Sequence, residues 1–288
     1  MLLRYGAVVG LVAWIGIVLW HFPWAVDGPV NKEETQKKFY AEMYTAGPST
    51  IVKNTQMAQA AISANEDLHI RDHVAEFVKK HHLERSRVLD VGSGTGALQD
   101  VVANYTGLDI SPTAARFYHK PFVVGTATAM PFKDGEFDAA WSIFVLEHIP
   151  NPEAALNEIR RVIKPGGFLY LEPAWDCAPW AAEGYEARPY SDFGVYGKAV
   201  KASIPIRRSK VFKGTYKVPI RLIRSIGHGP TRLHYRRLTP NYREYWQADS
   251  DAVNNLDPYE LMRWFTSRGD DILRFDGWAV EIKVRRGA

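Results

Sequence analysis

Residues 88–96 read Val-Leu-Asp-Val-Gly-Ser-Gly-Thr-Gly. A run of strand-forming residues stops at Val91, glycines follow at Gly92, Gly94 and Gly96, and a helix-forming stretch from Ala97 to Asn104 comes directly after. Glycine accepts positive φ and lets a ligand approach the main chain, so the segment predicts a strand, a tight turn and a helix with a ligand at the turn. The spacing narrows the ligand. It is G-x-G-x-G rather than the G-x-G-x-x-G that seats a pyrophosphate at a helix N-terminus, and G-x-x-x-x-G-K-[ST] does not occur. Asp90, two residues before the first glycine, would repel phosphate and suit a cationic amino group. Asp109, at the end of the next predicted strand, can accept hydrogen bonds from both hydroxyls of a ribose. Together these residues predict a ligand with a ribose and an ammonium group and no pyrophosphate. Taken alone, each aspartate has a plainer alternative: Asp90 as a cap of the turn, Asp109 as a cap of the helix opening at Ser111.

The pattern around the turn repeats the same alternation. Predicted strands at 88–91, 105–110, 122–124, 137–144 and 168–171 are separated by helical stretches at 97–104, 111–118 and 152–163. Such alternation implies βαβ units and a parallel sheet covered on both faces. Asn151 and Pro152 suit the cap and first position of a helix, and Lys164-Pro165-Gly166-Gly167 suits its end. Near the C-terminus, Asp257-Pro258-Tyr259-Glu260 opens a helix, and strands at 272–275 and 278–284 meet at Asp276-Gly277. The expected fold class is α/β: a Rossmann-like, doubly wound, mostly parallel seven-stranded sheet with a C-terminal antiparallel hairpin, plus an N-terminal transmembrane helix.

Four segments in order, VLDVGSGTG at 88–96, GLDISP at 107–112, GTATAMPFKDGEFDAAWSIFVLEHI at 125–149 and EIRRVIKPGGFLYLEP at 158–173, resemble the successive motifs of class I S-adenosylmethionine-dependent methyltransferases. The branch resembled acts on small molecules, quinones, sterols and lipids. The resemblance implies S-adenosylmethionine as cofactor. It places Asp90, Gly92, Ser93, Gly94 and Gly96 at the methionine part and Asp109 at the ribose. Ile110 would lie against the adenine, Thr126 and Ala127 at its edge, and Phe144 and Val145 would line the pocket. Thr126 departs from the family's frequent aspartate: a hydroxyl still accepts a bond from the adenine amino group, without the charge, which implies weaker binding. Phe144 has an alternative place in the core.

Methyl transfer needs a general base only where the nucleophile is a protonated hydroxyl. His148 after the fourth strand and Glu172 after the fifth are the catalytic candidates, with Asp176 near them. A structural hydrogen bond is the alternative role for His148. The scattered histidines suggest no metal site.

From Tyr5 to Phe22 the chain carries no Asp, Glu, Lys or Arg. That length is close to what spans a bilayer core, and Trp20, Phe22 and Trp24 suit one interface, with Trp14 inside. Two readings compete: a cleaved signal peptide, although Trp24-Ala25-Val26 fits an A-x-A site poorly, and a buried core helix, although the segment has no polar face. Lys32, Lys37 and Lys38 follow the span and only Arg4 precedes it, which predicts a single-pass membrane protein with its catalytic domain cytoplasmic. The single cysteine, Cys177, excludes an internal disulfide and suits a reducing compartment.

The expected organisation is an anchor at 1–28, a helical cover at 29–80 broken at Ala46-Gly47-Pro48-Ser49, the cofactor core at 81–174, a basic and aromatic insertion at 175–256, and a helix and hairpin at 257–288. The net charge of +4 is modest, but Phe193 to Arg243 holds no acid. Within it Lys217, Arg221 and Arg224 share one face of a helix with Pro219 in its first turn, while Leu222, Ile223 and Ile226 share another. A basic amphipathic helix predicts a membrane lipid surface as partner. Trp180, Tyr185, Tyr190 and Tyr196 are candidates for a lid. A solvated basic face over an ordinary core helix is the alternative, and no nucleic-acid partner is expected. The implied acceptor is a lipid, quinone, polyprenyl or lipid-linked glycan. The alternatives are a soluble small molecule or polysaccharide, and a non-catalytic scaffold that binds the cofactor.

Overall fold

The protein was analysed as a computed structural model, which describes residues 2–21, 33–45, 68–226, 230–244 and 246–285. The alternating apolar runs form strands β1 (Arg87–Val91), β2 (Asn104–Asp109), β3 (Phe122–Val124), β4 (Phe137–Ile143) and β5 (Ile163–Glu172). These pair in parallel, and the chain later adds the two-residue strands β6 (Arg236–Arg237) and β7 (Asn254–Asn255) as a separate ribbon. The C-terminal strands β8 (Asp271–Phe275) and β9 (Val280–Lys283) form the expected hairpin, with Asp276 accepting from the backbone of Trp278 and Ala279. The seven-stranded order is β3-β2-β1-β4-β5-β9-β8, with β9 antiparallel to both its neighbours.

Successive strand residues point to opposite faces, so each strand feeds two cores. On one face Leu89, Ala140 and Leu169 pack under helices α4 (Pro152–Val162) and α7 (Pro258–Thr266). On the other, Val88, Ala139 and Tyr170 pack under helix α3 (Ile70–Lys80) through Ile70, Val74 and Phe77. Asn151 caps α4 by accepting from Ala154, with Pro152 at the first position, as the sequence predicts.

Two expected helices differ. Residues 97–100 form turns and 101–103 bends in place of an α-helix, and Asn104 already begins β2. Gln99 and Val101 donate to carbonyls three residues back, and Ala103 donates across to Glu84, which removes the i→i−4 ladder. The stretch 111–118 is realised as a 3₁₀ helix over Pro112–Phe117.

The N-terminal expectation is corrected. Helix α1 covers Leu2–His21, but among the described residues no helix is long and apolar enough to cross a membrane. Trp14, expected inside a bilayer, packs edge-on against Phe212, ring centroids 4.9 Å apart, beside Tyr216 and Ile220. The transmembrane helix, the membrane localisation and the single-pass orientation therefore find no support. The side chain of Trp20, residues Phe22 and Trp24, and the break at 46–49 lie outside the described residues.

The basic stretch folds as helices α5 (Val195–Arg208) and α6 (Lys210–Ser225). Ser209 caps α6 through Phe212, so Pro219 falls inside the helix and not in its first turn. The amphipathic helix is also turned the other way from expectation. Lys217 bonds Asp176 and Asp257 at 2.5 and 2.8 Å, Arg221 bonds Asp257 at 2.9 Å and Arg224 bonds Glu260 at 2.8 Å. The cations face the protein, while Val218, Leu222, Ile223 and Ile226 are exposed. The acids that turn the helix lie outside the acid-free stretch, at Asp176 before it and Asp257 and Glu260 after it.

Candidate active site

The carboxyl ends of β1, β2, β4 and β5 open into a cavity of about 1090 Å³. At one end lies the glycine turn. Gly92 sits at φ 74°, and a Cβ there would come within 2.3 Å of the Val145 side chain. Its N–H and that of Ser93 donate to Leu108, which pins the turn to β2. Gly94, at φ 52°, has the Tyr44 hydroxyl 3.1 Å from where a Cβ would stand.

Asp109 ties the same parts together from the other side. Its two carboxylate oxygens accept from the backbone of Gly94 and Ser111 at 2.9 and 2.8 Å, and each oxygen keeps a lone pair for a further donor. Burial raises its pKa, and the backbone donors of Ser111, Gly94 and Ile110 work against that rise. Asp90 is pushed up to about 7 by burial, although the Tyr105 hydroxyl donates to it at 2.8 Å. A carboxyl so placed gains by ionising beside a bound cation.

The structure brings Asp90, Gly92, Ser93, Gly94, Asp109, Ile110, Thr126, Ala127 and Phe144 to the cavity lining. Gly96 is outside it, packed against Tyr118 and Gln99. Thr126 Oγ also holds its own loop, accepting from the Thr128 backbone at 3.2 Å. Ser93 Oγ is buried under the turn, against Gly107 of β2, with no hydrogen-bond partner. The glycine cradle and the two carboxylates fit S-adenosylmethionine.

His148 lines the cavity and Glu172 does not. The Glu172 carboxylate accepts from the Tyr170 hydroxyl at 2.6 Å, on the α3 side of the sheet. His148 Nδ1 stands 3.2 Å from Asp251, and Nε2 stands 3.7 Å from Glu147. Burial depresses the imidazole, but Asp251, Glu147 and Asp249 outweigh it and raise His148 above its usual pKa. Glu147 is fully buried and pushed up to about 7 by that burial. One of its oxygens accepts from Ala174 at 3.1 Å, and the other has no hydrogen-bond partner.

Helix α2 (Glu33–Thr45), inside the stretch expected as a helical cover, lines the cavity through Gln36, Tyr40, Met43 and Tyr44, none of them among the site residues read from the sequence. Gln36 donates to the carbonyl of His148, the Tyr40 hydroxyl donates to Asp251 at 2.8 Å, and Thr113 donates to the Ala41 carbonyl at 3.0 Å. The signal was present: Gln36, Phe39, Tyr40, Met43 and Tyr44 recur at helical spacing on one face. Asp249 and Asp251 had no such signal, since their loop has no local periodicity. Of the expected lid aromatics, Trp180 lines the cavity and Tyr185, Tyr190 and Tyr196 do not.

A glycine turn after the first strand, an acid closing the second, and a parallel sheet whose final strand inserts antiparallel define a class I S-adenosylmethionine-dependent methyltransferase domain. Residues 89–171 match the family model described as a methyltransferase domain, and S-adenosylmethionine is the cofactor of that domain. The chain is 36% identical over 110 residues to the sterol 4-C-methyltransferase strm-1 of Caenorhabditis elegans, covering 33% of this chain and 32% of that protein. It is 42% identical over 96 residues to the demethylmenaquinone methyltransferase of Renibacterium salmoninarum, covering 30% and 40%. The chain thus spans less than half the length of these curated relatives. Among solved structures it is similar to S-adenosylmethionine-bound CalS10, an amino pentose methyltransferase from Micromonospora echinaspora. That match has a TM-score of 0.33 at 23% identity, over 37% of this chain and 50% of the other.

Proposed function

We propose that this chain transfers a methyl group from S-adenosylmethionine to a hydroxyl on an acceptor with a large apolar body, of the lipid, quinone, polyprenyl or lipid-linked glycan class. The observation that carries this is one continuous cavity, running from the glycine turn past His148 to an end walled by Trp175, Pro179, Trp180, Tyr216 and Trp278. The relatives named for sterol and menaquinone chemistry support the acceptor class.

Asp109 would hold the ribose hydroxyls, Ser93 and the glycine turn the methionine end, and Ile110, Thr126 and Ala127 the adenine. Bound there, the cofactor supplies a methyl group on positively charged sulfur. Neutral His148 takes the proton of the acceptor hydroxyl at Nε2, while Asp251 at Nδ1 keeps the ring oriented and favours its charged form. Tyr40 fixes Asp251 in turn. Helix α2 and Trp180 exclude water from the reacting oxygen, and alignment supplies much of the rate.

Calorimetric titration of the full chain with S-adenosylmethionine tests the cofactor assignment. We expect saturable binding that Asp109→Ala weakens about tenfold, equivalent to about 1.4 kcal/mol. Transfer of a labelled methyl group to quinols, polyprenols and detergent-solubilised lipids tests the reaction. Binding with no turnover on any of them would favour a scaffold that only binds the cofactor.

A further inference from the structure

Helix α2 lies outside the stretch that matches the family model, yet it touches both halves of the cavity. At the base end Gln36 donates to the His148 carbonyl, and the Tyr40 hydroxyl donates to Asp251 at 2.8 Å. At the cofactor end Thr113, in the segment after Asp109, donates to the Ala41 carbonyl at 3.0 Å. Phe39 and Met43 are buried against Tyr242, which fixes the rotation of the helix. Tyr44, one turn beyond Tyr40 and so on the same face, is thereby held over the glycine turn.

Nothing in the free protein uses the Tyr44 hydroxyl. The ring meets Phe117 edge-on, centroids 6.4 Å apart, a contact that phenylalanine makes equally well. The hydroxyl stands 3.1 Å from where a Cβ on Gly94 would be, and among the described residues it has no hydrogen-bond partner. A partly buried hydroxyl without a partner is a cost that a bound ligand can remove. Burial first, and then the charge of Asp109, hold its pKa well above the usual tyrosine range, so it stays an O–H donor. Gly94 is also the residue whose N–H donates to Asp109 at 2.9 Å. Hydroxyl and carboxylate therefore stand beside the same turn residue, and both line the cavity. A ribose hydroxyl that gives its proton to Asp109 keeps two lone pairs that need a donor. The Gly94 N–H is not free for this, because Asp109 already takes it.

We propose that the Tyr44 hydroxyl donates a hydrogen bond to one of the ribose hydroxyls held by Asp109, which makes Tyr44 a cofactor-binding residue supplied from outside residues 89–171. The ribose oxygen then gives a proton to Asp109 and receives one from Tyr44. The consequence extends to the base. A bond made at Tyr44 holds α2 in place, and the same helix carries Tyr40, which orients Asp251 beside His148. This rests on the placement of S-adenosylmethionine given above.

The test titrates the full chain, unsubstituted and as Tyr44→Phe, with S-adenosylhomocysteine and its 2′-deoxy and 3′-deoxy forms. Tyr44→Phe should weaken S-adenosylhomocysteine about three- to tenfold, the scale of one neutral hydrogen bond. Against one of the two deoxy forms the same substitution should cost little, because the oxygen that Tyr44 served is gone. Thermal unfolding without ligand should be unchanged, whereas a purely structural tyrosine would lower it. Tyr40→Phe, one turn away, should keep the unsubstituted protein's ranking of the three ligands. Unchanged S-adenosylhomocysteine affinity in Tyr44→Phe, or an equal loss against all three ligands, overturns the proposal. Failure of the underlying placement registers differently, as S-adenosylhomocysteine binding that Asp109→Ala leaves unweakened.

Discussion

Asp90 and Asp109 face one cavity with different partners, and their titrations should differ. Asp90 is raised from 3.8 to about 7 by burial, so its contribution to the stability of the ligand-free protein is present below the lower value and lost as pH rises through the higher. A cationic cofactor favours the ionised form. Its affinity should therefore increase with pH through about 7, with a proton released on binding. Calorimetry in buffers of different ionisation enthalpy measures that release; Asp90→Asn should reduce it, and buffer-independent heats in the unsubstituted protein would sink the assignment. Glu147, also near 7, contributes separately and is isolated by Glu147→Gln. His148, as the proposed base, gives its signature in turnover and not in affinity. It must be neutral to act, so turnover should climb with pH and reach half its maximum above the ordinary imidazole range. His148→Gln should cut turnover about 100-fold with cofactor binding unchanged. Asp251→Asn should shift the rising limb to lower pH, because it removes the chief group that raises the imidazole. An unmoved limb would show that Asp251 plays only a structural part.

At the scale of elements, helix α6 is fastened by its charges. Burial raises Asp257 and Glu260, but the groups opposite each, Lys217 and Arg221 for one and His234 and Arg224 for the other, hold both below their usual range. The stability they contribute is present above their unfolded pKa values and is lost as pH falls through the depressed folded ones. Asp257→Asn should cost about 2 kcal/mol at neutral pH, between exposed and fully buried pairs, and much less in acid; urea unfolding measures it. Asparagine can still cap α7 where Asp257 accepts from Tyr259, so the loss reports the charge and not the cap. The same helix shows where sequence ran out. Its periodicity separates two faces, but which face turns inward depends on Asp176, Asp257 and Glu260, distant in the chain. The turn at Gly92 to Gly96 and the acid at Asp109 were legible because their spacing is itself the geometry. The helix expected at 97–104 failed for a tertiary reason, the bond from Ala103 to Glu84. Trp14 misled because an apolar run does not say whether lipid or protein will cover it.

Across the whole molecule, the cavity is closed by residues far apart in sequence. Tyr40 and Asp251 are 211 residues apart, and with His148 they join the helix before the matched domain, the domain itself and the loop after it. The cofactor end, in contrast, is built almost wholly from within residues 89–171, the stretch that matches the methyltransferase-domain model. This division has a consequence for how such a protein diversifies. Mutations at Trp180 or Tyr216 can change the molecule being modified without loosening the grip on the methyl donor, because neither lies within the donor's cradle. A lineage can therefore inherit the donor half nearly intact and rebuild the recipient half freely, and the low coverage of the relatives is the trace that such a history would leave.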